Sequence, residues 1–480
     1  MQKVFYITTT LPYVNADPHV GFAMEIIRAD VIARAKKLDG YDVFFNTGTD
    51  EHGQKLLRAA EAEGKEVQAY VDGYAERFRG LKDLLGISGD VHFVRTTDAH
   101  HITSAQEFWN RCNERGYIYK KTYQTKYCVG CELEKTDSEL NENGECPIHP
   151  GKAVELIDEE NYFFKFSAFQ QPLLDFYEKN PTFVIPDFRF NEIKSFVSGG
   201  LDDFSISRLA SKMSWGVPVP NDPLHVMYVW FDALVNYIST LGWPENTEQF
   251  EKFWINGMPT QYCGKDNLRQ QSAMWQAMLM AADLPTSHQI VINGFITGDG
   301  GIKMSKSIGN VINPYDVVAD YGTEALRYFL LRELSAFEDS PFTMERFRDS
   351  YNSGLANGIG NLSSRILTLS EKYLDKCPEI PEKSDFTEYF KMYETFDLKK
   401  VTDYIWNEIG DLDKTIQETE PFKVVKVDLE KGKKLISDLV LRLYQVARML
   451  NPILPETNIK LKALIKANKK PEKPLFARKD

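Results

Sequence analysis

The chain has no apolar run approaching the roughly 20 residues that a bilayer-crossing helix requires. Its start, Met1 followed by the strand-like run Val4-Phe5-Tyr6-Ile7, lacks a cleavable apolar leader. A membrane-spanning or secreted protein is thereby set aside, and a cytoplasmic location is expected. An excess of positive charge is missing too: 57 Lys and Arg face 69 Asp and Glu, a net charge of −12 at pH 7. That excludes indiscriminate coating of nucleic acid but leaves room for a local basic surface. Cysteine is scarce, six in 480 residues, too few for a disulfide scaffold. Internal repeats and low-complexity tracts are absent as well. What is present is ordinary for a globular chain, 43% hydrophobic and 26% charged, and the length asks for roughly two to four domains.

Residues 1–115 alternate strand-like and helix-like segments: a strand at Val4–Thr9, helical spacing over His19–Lys37, a strand at Asp42–Asn46, two helices within Glu51–Leu85, a strand at Val91–Arg95 and a helix over Ala99–Arg115. The pattern predicts an α/β fold, a doubly wound parallel (Rossmann-type) sheet that binds ligands outside the carboxyl ends of its strands. From 116 to 223 the pattern breaks into an aromatic-rich insertion containing a cysteine cluster. Parallel-sheet character is expected to resume over 224–295, at Val226–Phe231 and Gln289–Asn293. Residues 296–345 form a connecting region, and 346–480 read as an α-helical bundle broken near Pro378–Pro381 and Pro421. The segment from Lys460 to Asp480 holds eight Lys/Arg against two acids; a solvated tail and a nucleic-acid contact both fit it.

Three patterns carry chemistry. In Asp17-Pro18-His19-Val20-Gly21-Phe22, Asp17 suits an N-cap and Pro18 the first helical position. His19 then falls where free N–H groups favour an anion, and Gly21 admits close approach to the backbone. Alone, the run reads more readily as a plain helix start. Lys303-Met304-Ser305-Lys306-Ser307 follows the loop Gly298-Asp299-Gly300-Gly301 and sets two lysines three apart, a cationic loop able to clamp phosphates as charge builds during transfer. Cys128-x2-Cys131, fourteen residues, then Cys146-x2-His149 gives four soft or borderline ligands in two close pairs. This is a structural tetrahedral zinc pattern with iron as the lesser alternative, and it would hold together an insertion too loop-rich to do so alone. Cys112, Cys263 and Cys377 read as buried spectators.

The histidine–glycine run and the Lys-Met-Ser-Lys-Ser string together resemble the paired signatures of class I aminoacyl-tRNA synthetases. Leu11-Pro12-Tyr13, Thr47-Gly48-Thr49-Asp50-Glu51-His52-Gly53, Tyr228-Val229-Trp230-Phe231-Asp232-Ala233-Leu234 and Gly264-Lys265-Asp266 look like methionyl-tRNA synthetases in particular. With the zinc segment and the helical region, the resemblance spans essentially the whole chain.

The resemblance implies a set of roles. His19, Lys303 and Lys306 would stabilise the α-phosphate and the leaving pyrophosphate, with Gly21, Arg208 and Asp266 also at the ATP and Mg²⁺ accompanying it. Asp50 would pair with the methionine ammonium group, although helix capping is its plainer role. Leu11, Tyr13, Trp230 and Tyr237 would enclose the thioether, where sulfur–aromatic contacts contribute roughly 0.3–1.5 kcal/mol; outside the family, Trp230 would read as core. Asn357, Asn361 and Arg365, stepping by four, would read an anticodon, as an alternative to bonding between helices. Phe422, in Glu420-Pro421-Phe422, would stack on a base in place of the family's tryptophan. Two positions depart from the family: Phe22 stands where a second histidine is usual, and Gln271 replaces a histidine near the methionine side chain. The expected activity is ATP-dependent activation of L-methionine and transfer to tRNA(Met) by a monomer lacking the family's dimerisation module, with homocysteine removed by cyclisation in the synthetic site. The alternatives are a synthetase for another apolar amino acid, disfavoured by the short insertion, and a non-catalytic tRNA-binding homologue.

Overall fold

A computed structural model describes residues 3–128, 133–135, 140–147, 154–301, 304, 311–381 and 385–480. Six parallel strands form its central sheet: β1 Val4–Thr9, β2 Asp42–Thr49, β3 His92–Arg95, β4 Val184–Ile185, β5 Pro259–Gly264 and β6 Gln289–Asn293, in the order β3-β2-β1-β5-β6-β4. β1 and β5 lie at the centre and are buried almost throughout; β1 reads as a near-continuous apolar run because both its faces are covered. Helix α1, Val20–Leu38, connects β1 to β2 and is buried almost all round, since it lies between the sheet and the C-terminal helices.

The expected strands at Val4–Thr9 and Gln289–Asn293 are found with those bounds. Val226–Phe231 is different. Asp222–Met227 is a strand of a small antiparallel sheet with Ser207–Leu209 and Pro218–Val219, and Val229–Leu234 is helix. The apolar run there is short, so periodicity could not separate a buried strand from a strand end followed by a helical turn. The strand that does flank β1, Pro259–Gly264, had no separate sequence signal. Within 116–223, the long antiparallel pair Ile118–Cys128 and Val154–Phe164 leaves the central sheet, and the chain rejoins it at β4, which pairs with β6.

Two apolar layers flank the sheet. One continues from α1 into the C-terminal helices; the other is built around Trp109, Trp254 and Trp275. Between α1 and the helical region sits a buried ionic junction. Arg327 donates to Asp30 Oδ2 at 2.9 Å and to the carbonyls of Leu85, Pro452 and Ile453 at 3.1, 2.9 and 2.8 Å. Burial alone would raise the Asp30 pKa, yet Arg327 and Arg34 hold it below the ordinary carboxylate value.

The C-terminal region contains α2 Asn361–Tyr373, α3 Leu398–Thr419, α4 Pro421–Val427, α5 Leu429–Met449 and α6 Pro455–Ala467. Pro421 occupies the first turn of α4, where its missing N–H costs nothing. Among the described residues, no helix is long and apolar enough to cross a membrane.

Candidate active site

A cavity of about 770 Å³ opens at the carboxyl ends of β1, β2 and β5. Residues scattered through the sequence meet on its walls. Leu11 and Tyr13 come from the end of β1, Asp50 from the end of β2, and Asp266 and Gln271 from beyond β5. Arg208, Trp230, Tyr237 and Phe22 complete it. Every expected amino-acid-pocket residue is thus in one place, where an open parallel sheet binds its ligands.

The helix start differs from expectation by two residues. His19, rather than Asp17, is the N-cap of α1, and its Nδ1 accepts the Gly21 N–H at 3.0 Å. Asp17 instead pairs with Arg77. A ring nitrogen that accepts carries no proton, so the ring proton is left on Nε2, a donor suited to a phosphate oxygen. The glycine serves that ring: a Cβ at position 21 would meet His19 Cε1 at 2.7 Å. What approaches the backbone here is the imidazole itself. Phe22 lies against that imidazole, ring centroids 4.3 Å apart, and is backed edge-on by Phe78.

Asp50 bears a clear electrostatic mark in the cavity. Burial, and then the charge of Asp232, push its pKa well above the ordinary value. Its Oδ1 is buried with no hydrogen-bond partner among the described residues. Asp232 is fully buried and meets His52 Nδ1 at 2.8 Å; His52 packs edge-on against Trp215, whose indole donates to the Glu51 carbonyl at 2.6 Å. His52 and Asp232 fell inside the strings that carried the family resemblance, but single-sequence reasoning gave them no role. The available signal was Asp232, a carboxylate in the otherwise apolar run Tyr228–Leu234. Glu25 was also missed. On the buried side of α1 its Oε1 accepts the Thr10 N–H at 2.8 Å, and burial raises its pKa to about 8.

Gln271 donates to Tyr237 Oη at 2.7 Å, and Tyr6 Oη donates to the Tyr237 carbonyl at 2.9 Å. Burial keeps the Tyr237 phenol protonated. Arg208 lies over the Tyr228 ring at 4.5 Å and donates to the Ser207 carbonyl at 2.6 Å, so its guanidinium is pinned at the rim.

Lys303 and Lys306 lie outside the described residues, as do Cys131 and His149. Of the zinc pattern, Cys128 ends the strand paired with Leu133 and Val154. Cys146 is fully buried while its neighbours Asn143, Gly144 and Pro147 are exposed, a burial that suits a thiolate turned toward a metal rather than solvent.

In the helical region, Asn361 and Arg365 share a face of α2, whereas Asn357 precedes a break at Gly358 (ψ −110°). The expected single row of three therefore stops at two, because a step of four places residues on one face only in an unbroken helix. Arg365 pairs with Asp413 and shares a groove of about 420 Å³ with Phe422 and Ile416.

An open parallel sheet with a His-x-Gly helix start and an acid-floored pocket at its carboxyl ends defines a class I aminoacyl-tRNA synthetase. The family profile described as tRNA synthetases class I (M) matches residues 5–155 and 140–367. Methionine–tRNA ligases from Thermotoga maritima and Streptomyces coelicolor are each 40% identical, over 98% and 96% of this chain and 76% and 89% of their own length. A Mycobacterium tuberculosis methionyl-tRNA synthetase solved with methionyl-adenylate superposes with a TM-score of 0.88 at 35% identity, covering 99% of this chain and 100% of that one. The chain belongs to the methionyl-tRNA synthetase family of class I synthetases.

Proposed function

We propose that the cavity at the carboxyl ends of β1, β2 and β5 is where methionine is joined to ATP, and that the groove between α2 and α4 meets the tRNA anticodon. As a methionine–tRNA ligase, the chain activates methionine as methionyl-adenylate and transfers it to tRNA. The supporting observation for the site is Asp50, a buried carboxylate that shares the cavity wall with Tyr13 and Trp230 and whose Oδ1 has no partner among the described residues. A buried charge of that kind calls for a cation, and the substrate ammonium group supplies one.

With the ammonium on Asp50, the thioether lies among Leu11, Trp230 and Tyr237, and Gln271 closes the far wall. The methionine carboxylate then attacks the ATP α-phosphorus, and the bond to pyrophosphate breaks. His19 Nε2–H faces the developing charge, with Arg208 and Asp266 placing the nucleotide and Lys303 and Lys306 supplying cations. In the second step the terminal adenosine hydroxyl of tRNA(Met) takes the aminoacyl group and AMP leaves. No protein nucleophile is needed; positioning and electrostatics carry the rate.

Mg²⁺ accompanies ATP. Cys128, Cys131, Cys146 and His149 would hold one structural zinc, tying the insertion together. Residues 1–115 and 224–295, joined by β4 from within 116–223, form the catalytic unit around the insertion, with 296–345 linking it to the helical tRNA-facing region. A cytoplasmic monomer completes the proposal. The test is amino-acid-dependent ATP–pyrophosphate exchange across the twenty standard amino acids. Exchange with methionine is expected, and its absence in folded protein overturns the proposal.

A further inference from the structure

Gln271 is 2% exposed, and its Nε2 donates to Tyr237 Oη at 2.7 Å. The backbone here is held by Gln276, whose Nε2 donates to the Gln271 backbone carbonyl at 2.8 Å while its Oε1 accepts the Ser287 N–H at 2.9 Å. The other end of the Gln271 amide is left over. Its Oε1 is buried without a hydrogen-bond partner among the described residues, and the side chain forms part of the cavity wall beside Tyr237 and Trp230. Gln270 Oε1 shares that lack of a partner, but no bond comparable to that from Gln271 to Tyr237 fixes its amide.

A buried carbonyl that accepts nothing costs about 1–3 kcal/mol. In the open cavity water can donate to it. A methionine side chain that displaces the water has no donor to give back, since its sulfur is at most a weak acceptor and its end is a methyl group. A side chain of the same length ending in O–H or S–H restores the bond. We infer that Gln271 Oε1 makes the far end of the amino-acid site a hydrogen-bond acceptor, so that this chain activates methionine-length amino acids ending in a donor. The inference rests on the cavity being the amino-acid site. Glutamine at this position thus widens the substrate class toward hydroxylated and thiol analogues of methionine's length, instead of acting as a passive spacer.

The probes are norleucine, apolar throughout, and δ-hydroxynorvaline, which carries O–H where norleucine carries its terminal methyl. The quantity measured is the second-order rate constant for adenylate formation, followed as single-turnover pyrophosphate release so that later loss of the adenylate does not matter. An all-apolar pocket rejects such a hydroxyl by about a hundredfold. Here the unaltered chain is expected to use δ-hydroxynorvaline within about tenfold of norleucine; stronger rejection overturns the inference without any variant being made. In Gln271→Leu and in the volume-matched Gln271→Met, the hydroxyl-over-methyl ratio should fall about tenfold relative to the unaltered chain, whereas an unchanged ratio in a variant that still activates methionine overturns it. Methionine serves as the separate control. If methionine itself supports no release, the cavity assignment has failed; if methionine works and the ratios do not behave as stated, only the role of Gln271 has.

Discussion

The imidazole of His19 lies tilted by 32° against the ring of Phe22, centroids 4.3 Å apart, while its Nδ1 is engaged by the Gly21 N–H. Three consecutive features of one helix start therefore fix a single side chain. The family's second histidine would bring a donor to the phosphates; Phe22 brings a wall that keeps the first histidine in place.

Gly21→Ala should displace that ring, because the new Cβ would sit 2.7 Å from His19 Cε1. Alanine suits a helix start about as well as glycine does, or better, so the melting temperature should change little while kcat for ATP–pyrophosphate exchange falls at least about tenfold, a loss of ~1.4 kcal/mol of transition-state stabilisation. Calorimetry alongside exchange kinetics checks both halves, and unaltered exchange would remove His19 from the mechanism.

Asp50→Asn should raise the methionine KM strongly while leaving stability intact or improved, since it removes a buried charge that no described residue neutralises. The sign follows from the upward shift. In the free protein, ionised Asp50 opposes folding, and that penalty grows as pH rises through its elevated pKa; bound ammonium needs the ionised form. The unaltered chain should thus lose methionine affinity as pH falls, beginning above the ordinary carboxylate range, and the variant should show no such dependence.

Glu25 titrates in an accessible window. Its pKa is raised by burial from 4.5 to about 8, so its contribution to stability is full below 4.5 and is lost as pH rises through about 8. Glu25→Gln keeps an acceptor for the Thr10 N–H and should flatten the fall in melting temperature across that window. Parallel pH–stability curves for the two proteins would refute the assignment.

Phe422→Ala should weaken aminoacylation of tRNA(Met) by about tenfold, within the range expected for losing one base–aromatic stack. ATP–pyrophosphate exchange should stay unchanged, because Phe422 lies in the groove beside Arg365 and not on the catalytic cavity.

Zinc content offers an independent check. Metal analysis should find one zinc per chain, and Cys146→Ser should lower that content together with the melting temperature. Full occupancy in that variant would place the metal elsewhere.

Much of this architecture could be read from the residue pattern, for physical reasons. Val4–Thr9 and Gln289–Asn293 are buried on both faces, so their apolar runs are continuous. The pocket residues Leu11, Asp50, Trp230 and Asp266 were legible only through resemblance, because nothing local tells a side chain that it will face the same cavity as one two hundred residues away. The His52–Asp232 contact is of the same kind, spanning 180 positions. The helix start was misplaced by two residues because Asp17 and His19 both suit an N-cap, and the choice between them depends on Arg77 drawing Asp17 away. The row Asn357–Asn361–Arg365 was misjudged because a break at Gly358 leaves no trace in a spacing of four.

Arg327 has a last consequence. One guanidinium, sealed from solvent, is bonded at once to Asp30 on α1, to Leu85, and to Pro452 and Ile453 just before α6. Withdrawing Asp30 would leave the buried guanidinium without its counter-charge, and withdrawing any of the carbonyls would leave a buried N–H unbonded. Heating should therefore melt the sheet and the C-terminal helices in a single event, so that a calorimeter records one endotherm from a chain whose sequence divides into several pieces.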